Sequence, residues 1–351
     1  MSLDSALRNY QAWINDLDKT GASWYWKKHA FSLDATEISN RLQDFRNIES
    51  KPLSDTLDDY RSKMSMQEMF EKVCLRVPEN LVEQLLENKV GNPPEEKVLM
   101  MSGREVNATF NDLILISFAV TIFNALSEKQ KNKEIRVLEI GGGYGGLAAK
   151  LKKLLPLAKF TIIDIPHAGV LQTYYLTRIY SEKDVAVVEL KDANPTGGAS
   201  FLIVPNSRKD FVESQRFDLA INSRSFMEMD QGIIQDYFDL IQRTLNVDGI
   251  FFNCNRLWKN AGDKPTQISK YPYDNFWDLI SMSTSFFQTN TIEIIARRSK
   301  TENALFKTLI KRLPRTDFLI HRLKFRGFVE WLRPYVPTVL TFTYWKKIRK
   351  F

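Results

Sequence analysis

The sequence predicts an α/β protein with a doubly wound parallel sheet, a helical N-terminal region and a basic C-terminal tail. From residue 134 onward, short apolar runs alternate with helical patterns, and this alternation is typical of a parallel sheet. A glycine-rich turn follows the first of these runs. The 351-residue chain is 44% hydrophobic and 26% charged, a composition that is typical of globular enzymes.

The first 130 residues are predicted to form a helical accessory region. The segment 90–105 contains glycine and consecutive prolines, and it predicts a loop that could reach an active site. The apolar run 113–126 is shorter than the ~20 residues that span a bilayer and therefore predicts a buried core helix. Two further helices are predicted from apolar residues at helical spacing, namely Leu3, Leu7, Tyr10, Ile14 and Leu17 in the first and Ile38, Leu42, Phe45 and Ile48 in the second.

The sheet is predicted to occupy residues 134–298, within a domain that comprises residues 131–299. Ile233, Tyr237 and Ile241 mark one of the helices between its strands. The strands are predicted from apolar runs at 135–140, 160–166, 185–190, 201–205, 217–222, 249–255 and 291–298.

The glycine-rich turn has the spacing of a nucleotide-cofactor site. Gly141, Gly143 and Gly146 follow a strand and precede a helix, and Asp164 ends the next strand, where it could accept hydrogen bonds from ribose hydroxyls. Glu139 favours one cofactor, because a carboxylate before the turn would repel the pyrophosphate of NAD. It would instead stabilise the ammonium and sulfonium charges of S-adenosylmethionine. The sequence therefore predicts S-adenosylmethionine, with a packing turn that binds no ligand as the alternative.

The spacing of Glu139, Gly141, Gly143 and Gly145 resembles motif I of class I methyltransferases. The strings IIDIPH, FDLAINSRSFMEM and GIFFNCNR resemble the bacterial sugar O-methyltransferases found with surface-glycan biosynthesis genes, over about residues 85–298. The resemblance implies a Rossmann-like sheet of seven strands, one of them antiparallel. It implies cofactor contacts from Glu139, Gly141, Gly143 and Asp164, with Asn222 beside the methionine moiety, and the neighbouring Gly142, Tyr144, Gly145 and Ile165 are assigned to the same site.

Methyl transfer to a sugar hydroxyl requires a base, because the hydroxyl proton must leave as the new bond forms. His167 directly follows the strand that ends at Asp164 and is the first candidate, although it could instead cap a helix or pack against the adenosine. Glu228 and Asp230 are the carboxylate candidates. Their alternative role is a solvated helix start, where acids offset the helix dipole.

Three residues are predicted to bind the acceptor. Arg224 could hold a phosphate or carboxylate on a sugar, or it could form a surface ion pair. Asn253 and Asn255 leave a strand toward the same edge, although loop amides often satisfy backbone groups instead. Asp192 could converge with Glu228 and Asp230 on a metal, but no ligand spacing requires one, and no metal is predicted.

The net charge of +7 is concentrated in the tail. Residues 300–351 contain 13 Lys or Arg and three acidic residues, so they carry +10 and the rest of the chain carries −3. A nucleic-acid-binding body is therefore not expected. Aromatic residues interleave with the basic ones over 303–351, a pattern that suits peripheral contact with an anionic membrane. Packing on the body or on a partner subunit is the alternative, because two prolines interrupt any long helix.

The sequence thus predicts a cytoplasmic enzyme that methylates a sugar hydroxyl. The cytoplasmic assignment depends on two cysteines without metal-ligand spacing and on a polar N-terminus without an export signal. An NAD-dependent oxidoreductase is the nearest enzymatic alternative. A non-catalytic scaffold that retains the fold is an alternative of a different class.

Overall fold

A computed structural model describes residues 2–15, 34–47, 64–86, 89–190, 198–259, 265–285, 287–288 and 290–313. Within these ranges, an eight-stranded mixed sheet is covered on both faces by helices. The sheet separates two apolar clusters. Successive residues of the strands point to opposite faces, as the pleat of a strand requires. Val137 accordingly joins one cluster and Leu138 the other.

The region before the sheet is mainly helical and contains one β-hairpin. Its helices α1, α2, α3 and α4 precede the hairpin strands β1 and β2, and α5 and α6 follow them. The bounds are α1 Ser2–Asn15, α2 Ala35–Arg41, α3 Met66–Cys74, α4 Glu79–Leu85, β1 Glu96–Leu99, β2 Glu105–Ala108, α5 Phe110–Ala125 and α6 Glu128–Lys131.

The second half of the chain supplies the sheet and its flanking helices. A separate two-stranded hairpin, β9 and β10, follows β8. The bounds are β3 Arg136–Ile140, α7 Gly146–Leu154, β4 Lys159–Asp164, α8 Pro166–Ile179, β5 Val185–Val187, β6 Phe201–Pro205, β7 Phe217–Ser223, α9 Gln231–Thr244, β8 Leu245–Arg256, β9 Trp258–Lys259, β10 Thr266–Gln267, β11 Trp277–Thr284, β12 Thr291–Arg298 and α10 Ala304–Lys311.

The strand order across the sheet is β11-β12-β8-β7-β3-β4-β6-β5. All pairs from β8 to β5 are parallel, whereas β12 runs antiparallel to both of its neighbours. The α/β fold with one antiparallel strand therefore agrees with the prediction. Because β3 is flanked by β7 and β4, the carboxyl ends of these three strands meet at the centre of one edge of the sheet, where ligands of open α/β sheets bind.

The strand count differs from the prediction, because the described part of the sheet has eight strands rather than seven. The additional strand is β11, with the sequence WDLISMST at the edge of the sheet. Only Trp277 of this strand is fully buried. An edge strand can carry polar residues on a half-exposed surface, so β11 lacks the apolar run that marks an internal strand.

Two other elements also depart from the prediction. The expected loop at 90–105 contains β1 and the turn of the β1–β2 hairpin, in which Val98 pairs with Val106. The strand predicted at 185–190 is shorter and ends at Val187. Beyond it, the side-chain amide of Asn9 in α1 donates to the Val188 carbonyl and accepts from the Leu190 N–H, both at 2.9 Å. A side chain of the N-terminal helix thus replaces a neighbouring strand at this edge.

The apolar segment predicted as a buried helix lies in α5, which is fixed by a buried charge cluster. Asp112 accepts from Lys150 of α7 at 3.0 Å and from Arg46 at 3.3 Å, and all three side chains are almost completely buried. Lys150 also donates to the Leu85 carbonyl at the end of α4. Burial alone would raise the pKa of Asp112, but Lys150 and Arg46 outweigh that effect and hold it below its usual range.

The first part of the basic tail packs on the body. In α10, Phe306, Leu309 and Ile310 are buried, and the Phe306 ring lies edge-on to Tyr273 at 4.9 Å between centroids. The remainder of the predicted membrane-contact segment, residues 314–351, lies outside the described residues. None of the helices in the described ranges combines the length and the apolar character that crossing a bilayer requires.

The charge cluster leads to a stability prediction. Asp112→Asn removes the carboxylate that pairs with two buried cations and should lower the free energy of unfolding by about 3–5 kcal/mol. The matched control is Glu128→Gln, which breaks the surface pair of Lys131 and Glu128 and should cost at most about 1 kcal/mol. Urea denaturation measures both values. Equal effects of the two variants would contradict a structural role for the cluster.

Candidate functional site

A cavity lies at the carboxyl edge of β3, β4, β6 and β7. Its floor is the glycine-rich turn between β3 and α7, and the first turns of α5 and of α8 form two of its walls. The segment after β7, from Ser223 to Met229, forms a third wall. The site is therefore built around the central strand β3, with the loops after β7 and β4 on either side of it.

The glycine-rich turn requires glycine for both conformation and space. Gly141, Gly143 and Gly145 have φ values of +72°, +58° and +90°, a region that side-chain-bearing residues rarely adopt. A Cβ on Gly141 would lie 2.1 Å from Ser225 Oγ. A Cβ on Gly143 would meet no described atom within 4 Å, so the backbone of the turn is bare at this point of the cavity.

Asp164 ends β4 and ties this strand to the glycine-rich turn. Its carboxylate accepts from the Gly143 N–H at 3.0 Å, from the Ile165 N–H at 2.8 Å and from Gln172 Nε2 at 3.0 Å. Gln172 also donates to the Gly143 carbonyl at 2.9 Å, so it supports both sides of the site. Burial raises the pKa of Asp164 to about 7, against the opposing effect of the hydrogen bonds.

Glu139, near the end of β3, is the most unusual group in the cavity wall. Its side chain is 2% exposed, and Oε2 has no hydrogen-bond partner among the described residues. Burial, and secondly the charge of Asp164, raises the pKa of Glu139 to about 8. A buried carboxyl oxygen without a partner costs free energy unless a ligand satisfies it. The site therefore fits a ligand that brings a cationic hydrogen-bond donor.

His167, the first candidate base, lies in the first turn of α8 beside Asp164. Its ring is buried, lines the cavity and packs edge-on against Tyr10 of α1, with 6.1 Å between the centroids. It therefore belongs to the wall after β4. The N-terminal helix contributes to the support of this wall through Tyr10.

Glu228 and Arg224 line the cavity on the wall after β7. Glu228 is buried at the end of a short 3-10 turn, Phe226–Glu228, and pairs with Lys259 at 2.9 Å. Arg224 has a φ of +67°, and its N–H donates to the Cys254 carbonyl at 2.7 Å. A left-handed backbone is uncommon for arginine and costs conformational energy.

The structure does not bring Asp230 to the cavity. Asp230 precedes α9 and is exposed, and it is absent from the described cavity wall. This position matches the alternative role of a solvated helix start. Asp192, considered above as a metal ligand, lies outside the described residues. Within the described ranges, no three His, Cys, Asp or Glu side chains converge as a metal site would require.

Three predicted asparagines lie below the cavity rather than in its wall. Asn222, Asn253 and Asn255 are fully buried in β7 and β8 and hydrogen-bond to one another and to nearby groups. None of the three is in the described cavity wall. The contacts of Asn253 and Asn255 with the acceptor, and of Asn222 with the cofactor, stay predictions. Their side chains point to the face of the sheet that the second apolar cluster covers, because Ala220 and Phe251, each two residues earlier on the same strand, belong to that cluster.

Sequence reasoning missed four polar residues of the site. Asn206 lines the cavity directly after β6, so the end of the predicted strand at 201–205 could have indicated it. Asn111 lines the cavity and donates to the Tyr144 hydroxyl at 2.8 Å. Lys259 is brought to Glu228 by the β9–β10 hairpin, whose strands are two residues long. The sequence near Lys259 has no pattern that predicts this hairpin, and the sequence near Gln172 has none that predicts its hydrogen bonds to Asp164 and Gly143.

No protein-family model and no curated protein matches the chain. Solved structures with partial similarity include a candidate O-methyltransferase from Nostoc punctiforme, at 12% identity over 54% of this chain and 58% of that one, with a TM-score of 0.38. A mitomycin 7-O-methyltransferase aligns at 12% sequence identity over 54% of this chain and 57% of that one, with a TM-score of 0.35. An rRNA methylase from Streptococcus thermophilus aligns at 12% sequence identity over 53% of this chain and 97% of that one, with a TM-score of 0.37.

The chain thus spans little more than half of the length of the first two structures. Similarity at these values carries no inference about activity.

The open side of Gly143 leads to a binding prediction. Gly143→Ala should lower S-adenosylmethionine affinity at least about tenfold, because the added methyl projects into the cavity. Gly103→Ala is the matched control, since Gly103 in the β1–β2 hairpin has a φ of +81° and equally open space. Both variants should pay a similar conformational cost of about 1–2 kcal/mol. Calorimetric titration and urea denaturation measure the two effects, and equal affinities in the two variants would contradict the placement of the cofactor.

Proposed function

We propose that the chain is an S-adenosylmethionine-dependent methyltransferase that methylates a sugar hydroxyl, in surface-glycan or related biosynthesis. The observation that carries this proposal is Glu139, a buried carboxyl in the cavity wall with an unsatisfied oxygen beside a glycine-rich turn. An ammonium group at this position would stabilise the carboxylate form of Glu139, whereas a pyrophosphate would disfavour it. This carboxyl therefore favours S-adenosylmethionine over NAD.

The residues of the cavity fit the parts of this cofactor. Glu139 would hold the ammonium group, and Asp164 would accept hydrogen bonds from the ribose hydroxyls. The bare backbone at Gly143 allows a ligand to approach closely. Ile165 and Asn206, which line the cavity beyond Asp164, would contact the adenine.

When bound, the cofactor supplies a sulfonium methyl group, whose carbon–sulfur bond breaks toward sulfur as the acceptor oxygen bonds the carbon. The chain must align the acceptor and remove its proton. Glu228 is the residue that we assign to accept this proton. Its carboxylate pairs with Lys259 at 2.9 Å, and this contact holds it in the cavity wall.

The topology favours Glu228 over His167 as the base. His167 lies on the wall after β4, beside the carboxylate that we assign to the ribose. Glu228 lies on the wall after β7, on the other side of the central strand β3. The base must act at the acceptor, away from the ribose. His167 would then support the adenosine side of the cavity together with Tyr10.

The assignment of a sugar as the acceptor depends on the sequence resemblance at 217–229 and 249–256. Arg224 and Glu228, both in the first of these segments, line the cavity and provide a donor and an acceptor for hydroxyl groups. Arg224 could also hold a phosphate or carboxylate that is linked to the sugar. These two side chains support a polar acceptor.

The proposal is tested by calorimetric titration with S-adenosylmethionine and with NAD, followed by labelled-methyl transfer to a panel of nucleotide sugars and simple glycosides. We expect binding of S-adenosylmethionine and transfer to at least one sugar. Binding of NAD alone would overturn the cofactor assignment. Binding of S-adenosylmethionine with transfer only to acceptors other than sugars would overturn the sugar assignment.

The raised pKa of Glu139 predicts proton release on cofactor binding. The ammonium group of bound S-adenosylmethionine would favour the carboxylate form of Glu139, so binding should release the proton that this side chain carries. The affinity for S-adenosylmethionine should therefore rise between about pH 5.5 and 7, by up to about tenfold per pH unit for each proton released. Below about pH 7 the ligand's amino group stays cationic. Calorimetric titration in buffers of different ionisation enthalpy measures the number of protons that are released when S-adenosylmethionine binds. Glu139→Gln should bind more weakly at pH 7 and release about one proton fewer, and an unchanged proton count would exclude Glu139 as their source.

The assignment of the base predicts different effects for three substitutions. Glu228→Gln should lower kcat by about 10²–10⁴-fold and leave S-adenosylmethionine affinity nearly unchanged. His167→Ala should mainly weaken cofactor binding. Asp230→Asn is the control, because this exposed carboxylate lies outside the described cavity wall, and it should retain wild-type turnover. Wild-type kcat in Glu228→Gln, together with a large loss of kcat in His167→Ala, would reverse the assignment.

A further inference from the structure

Buried amide side chains form a relay beneath the cavity. Asn253 Nδ2 donates to the Tyr273 hydroxyl at 2.7 Å, and its Oδ1 accepts from Asn255 Nδ2 at 2.6 Å. Asn255 Nδ2 also lies 2.8 Å from Asn222 Oδ1. The three asparagines are fully buried, and Tyr273 is 1% exposed. Each amide presents distinct donor and acceptor ends, so each bond of the relay fixes the orientation of its neighbours.

The relay ends on the turn that carries Glu228. Asn222 Oδ1 accepts from the Phe226 N–H at 3.2 Å, and Asn255 Oδ1 accepts from the Met227 N–H at 3.1 Å. These are the two residues that immediately precede Glu228. The backbone of the short 3-10 turn is thus held from below by two amide oxygens.

The same relay reaches the cofactor turn. Asn222 Nδ2 donates to the Ile140 carbonyl at 3.0 Å and to Ser225 Oγ at 2.5 Å. Ile140 ends β3, and Ser225 Oγ occupies the space that a Cβ on Gly141 would need. Asn222 therefore bonds simultaneously to the start of the glycine-rich turn and to the start of the turn that carries Glu228.

Burying three amides in a sheet is costly unless every group is paired, whereas apolar side chains of similar size would carry no such cost. Paired amides provide direction, which apolar packing does not. On this basis we propose that Asn222, Asn253 and Asn255, with Tyr273, are positioning residues that set Glu228 relative to the cofactor turn. The inference rests on the proposed role of Glu228 as the base.

The test removes one hydroxyl at the far end of the relay. Tyr273→Phe deletes the acceptor for Asn253 and keeps the ring, which packs against Phe238 and Trp277. Tyr271→Phe is the matched control, because Tyr271 is also buried against Phe238, and its hydroxyl has no hydrogen-bond partner among the described residues. Asn255→Ala is a second variant that removes the bond to Met227 directly.

Three measurements are made on the 351-residue chain. Hydrogen exchange reports on the amides of Phe226 and Met227 and needs no acceptor substrate. Calorimetry gives the affinity for S-adenosylhomocysteine, and labelled-methyl transfer gives kcat. In Tyr273→Phe we expect exchange to accelerate and kcat to fall, each by about tenfold, with affinity and melting temperature matching those of Tyr271→Phe. In a Glu228→Gln background, Tyr273→Phe should cause no further loss of kcat.

The outcomes separate this inference from the proposed function. If Tyr273→Phe and Asn255→Ala match Tyr271→Phe in exchange and in kcat, the relay does not position Glu228, and the inference is overturned. A further loss of kcat in the Glu228→Gln background would also overturn it, because the relay would then act by another route. If Glu228→Gln itself retains wild-type kcat, the assignment of the base fails and the inference fails with it. If the wild-type chain binds no S-adenosylmethionine, the proposed function fails, and accelerated exchange would still show that the relay orders this turn.

Discussion

The ion pairs of Asp112 with Lys150 and Arg46 are the constraint on which the architecture of the site depends. They fix α5 to α7, and α7 begins directly after the glycine-rich turn. Tyr144 in that turn reinforces the connection, because Arg46 lies 4.9 Å from its ring centroid and Asn111 of α5 donates to its hydroxyl. Charges buried this deeply tolerate little displacement, since each would lose its partner in a medium of low dielectric constant. The first turns of α5 therefore remain in place as a cavity wall.

The cavity contrasts with this paired cluster, because one of its carboxyl groups, that of Glu139, is buried without full compensation. Glu139 lacks a partner at one oxygen, and burial raises the pKa values of both Glu139 and Asp164. In a rigid structure such groups cost free energy that a complementary ligand can recover. The surrounding groups are already oriented, with Gln172 and the Gly143 N–H directed at Asp164. A cationic ligand that carries hydroxyl groups would satisfy both carboxyl groups with little rearrangement.

The sequence predicts the features that depend on interactions within one element and does not predict those that depend on contacts between elements. The alternation of apolar runs located seven strands of the sheet, and the apolar segment 113–126 was recognised as a buried helix. Both patterns arise from burial periodicity within one element. The pattern does not indicate the edge strand β11, because half-exposure removes that periodicity. It predicts a loop at 90–105, where the structure has β1 and the turn of the first hairpin. The sequence predicts the asparagines of β7 and β8 in the cavity wall, and the structure places them beneath it. The end of a strand in the sequence does not reveal which face of the sheet its last residues point to.

By itself, the sequence determined the alternating α/β order and the glycine-rich turn with its preceding acid, because spacing along the chain fixes where these groups lie. The positive φ values of Gly141 and Gly143 are a local property of that turn. Asp164 lies near the turn because β3 and β4 are adjacent parallel strands whose carboxyl ends share one edge of the sheet. Only the tertiary structure decided which polar side chains face the cavity and which support it. The pairing of Glu228 with Lys259 and the amide relay through Asn222 and Asn255 cross between separate elements. Strand register and loop packing create such contacts, and neither leaves a periodic signal in the chain.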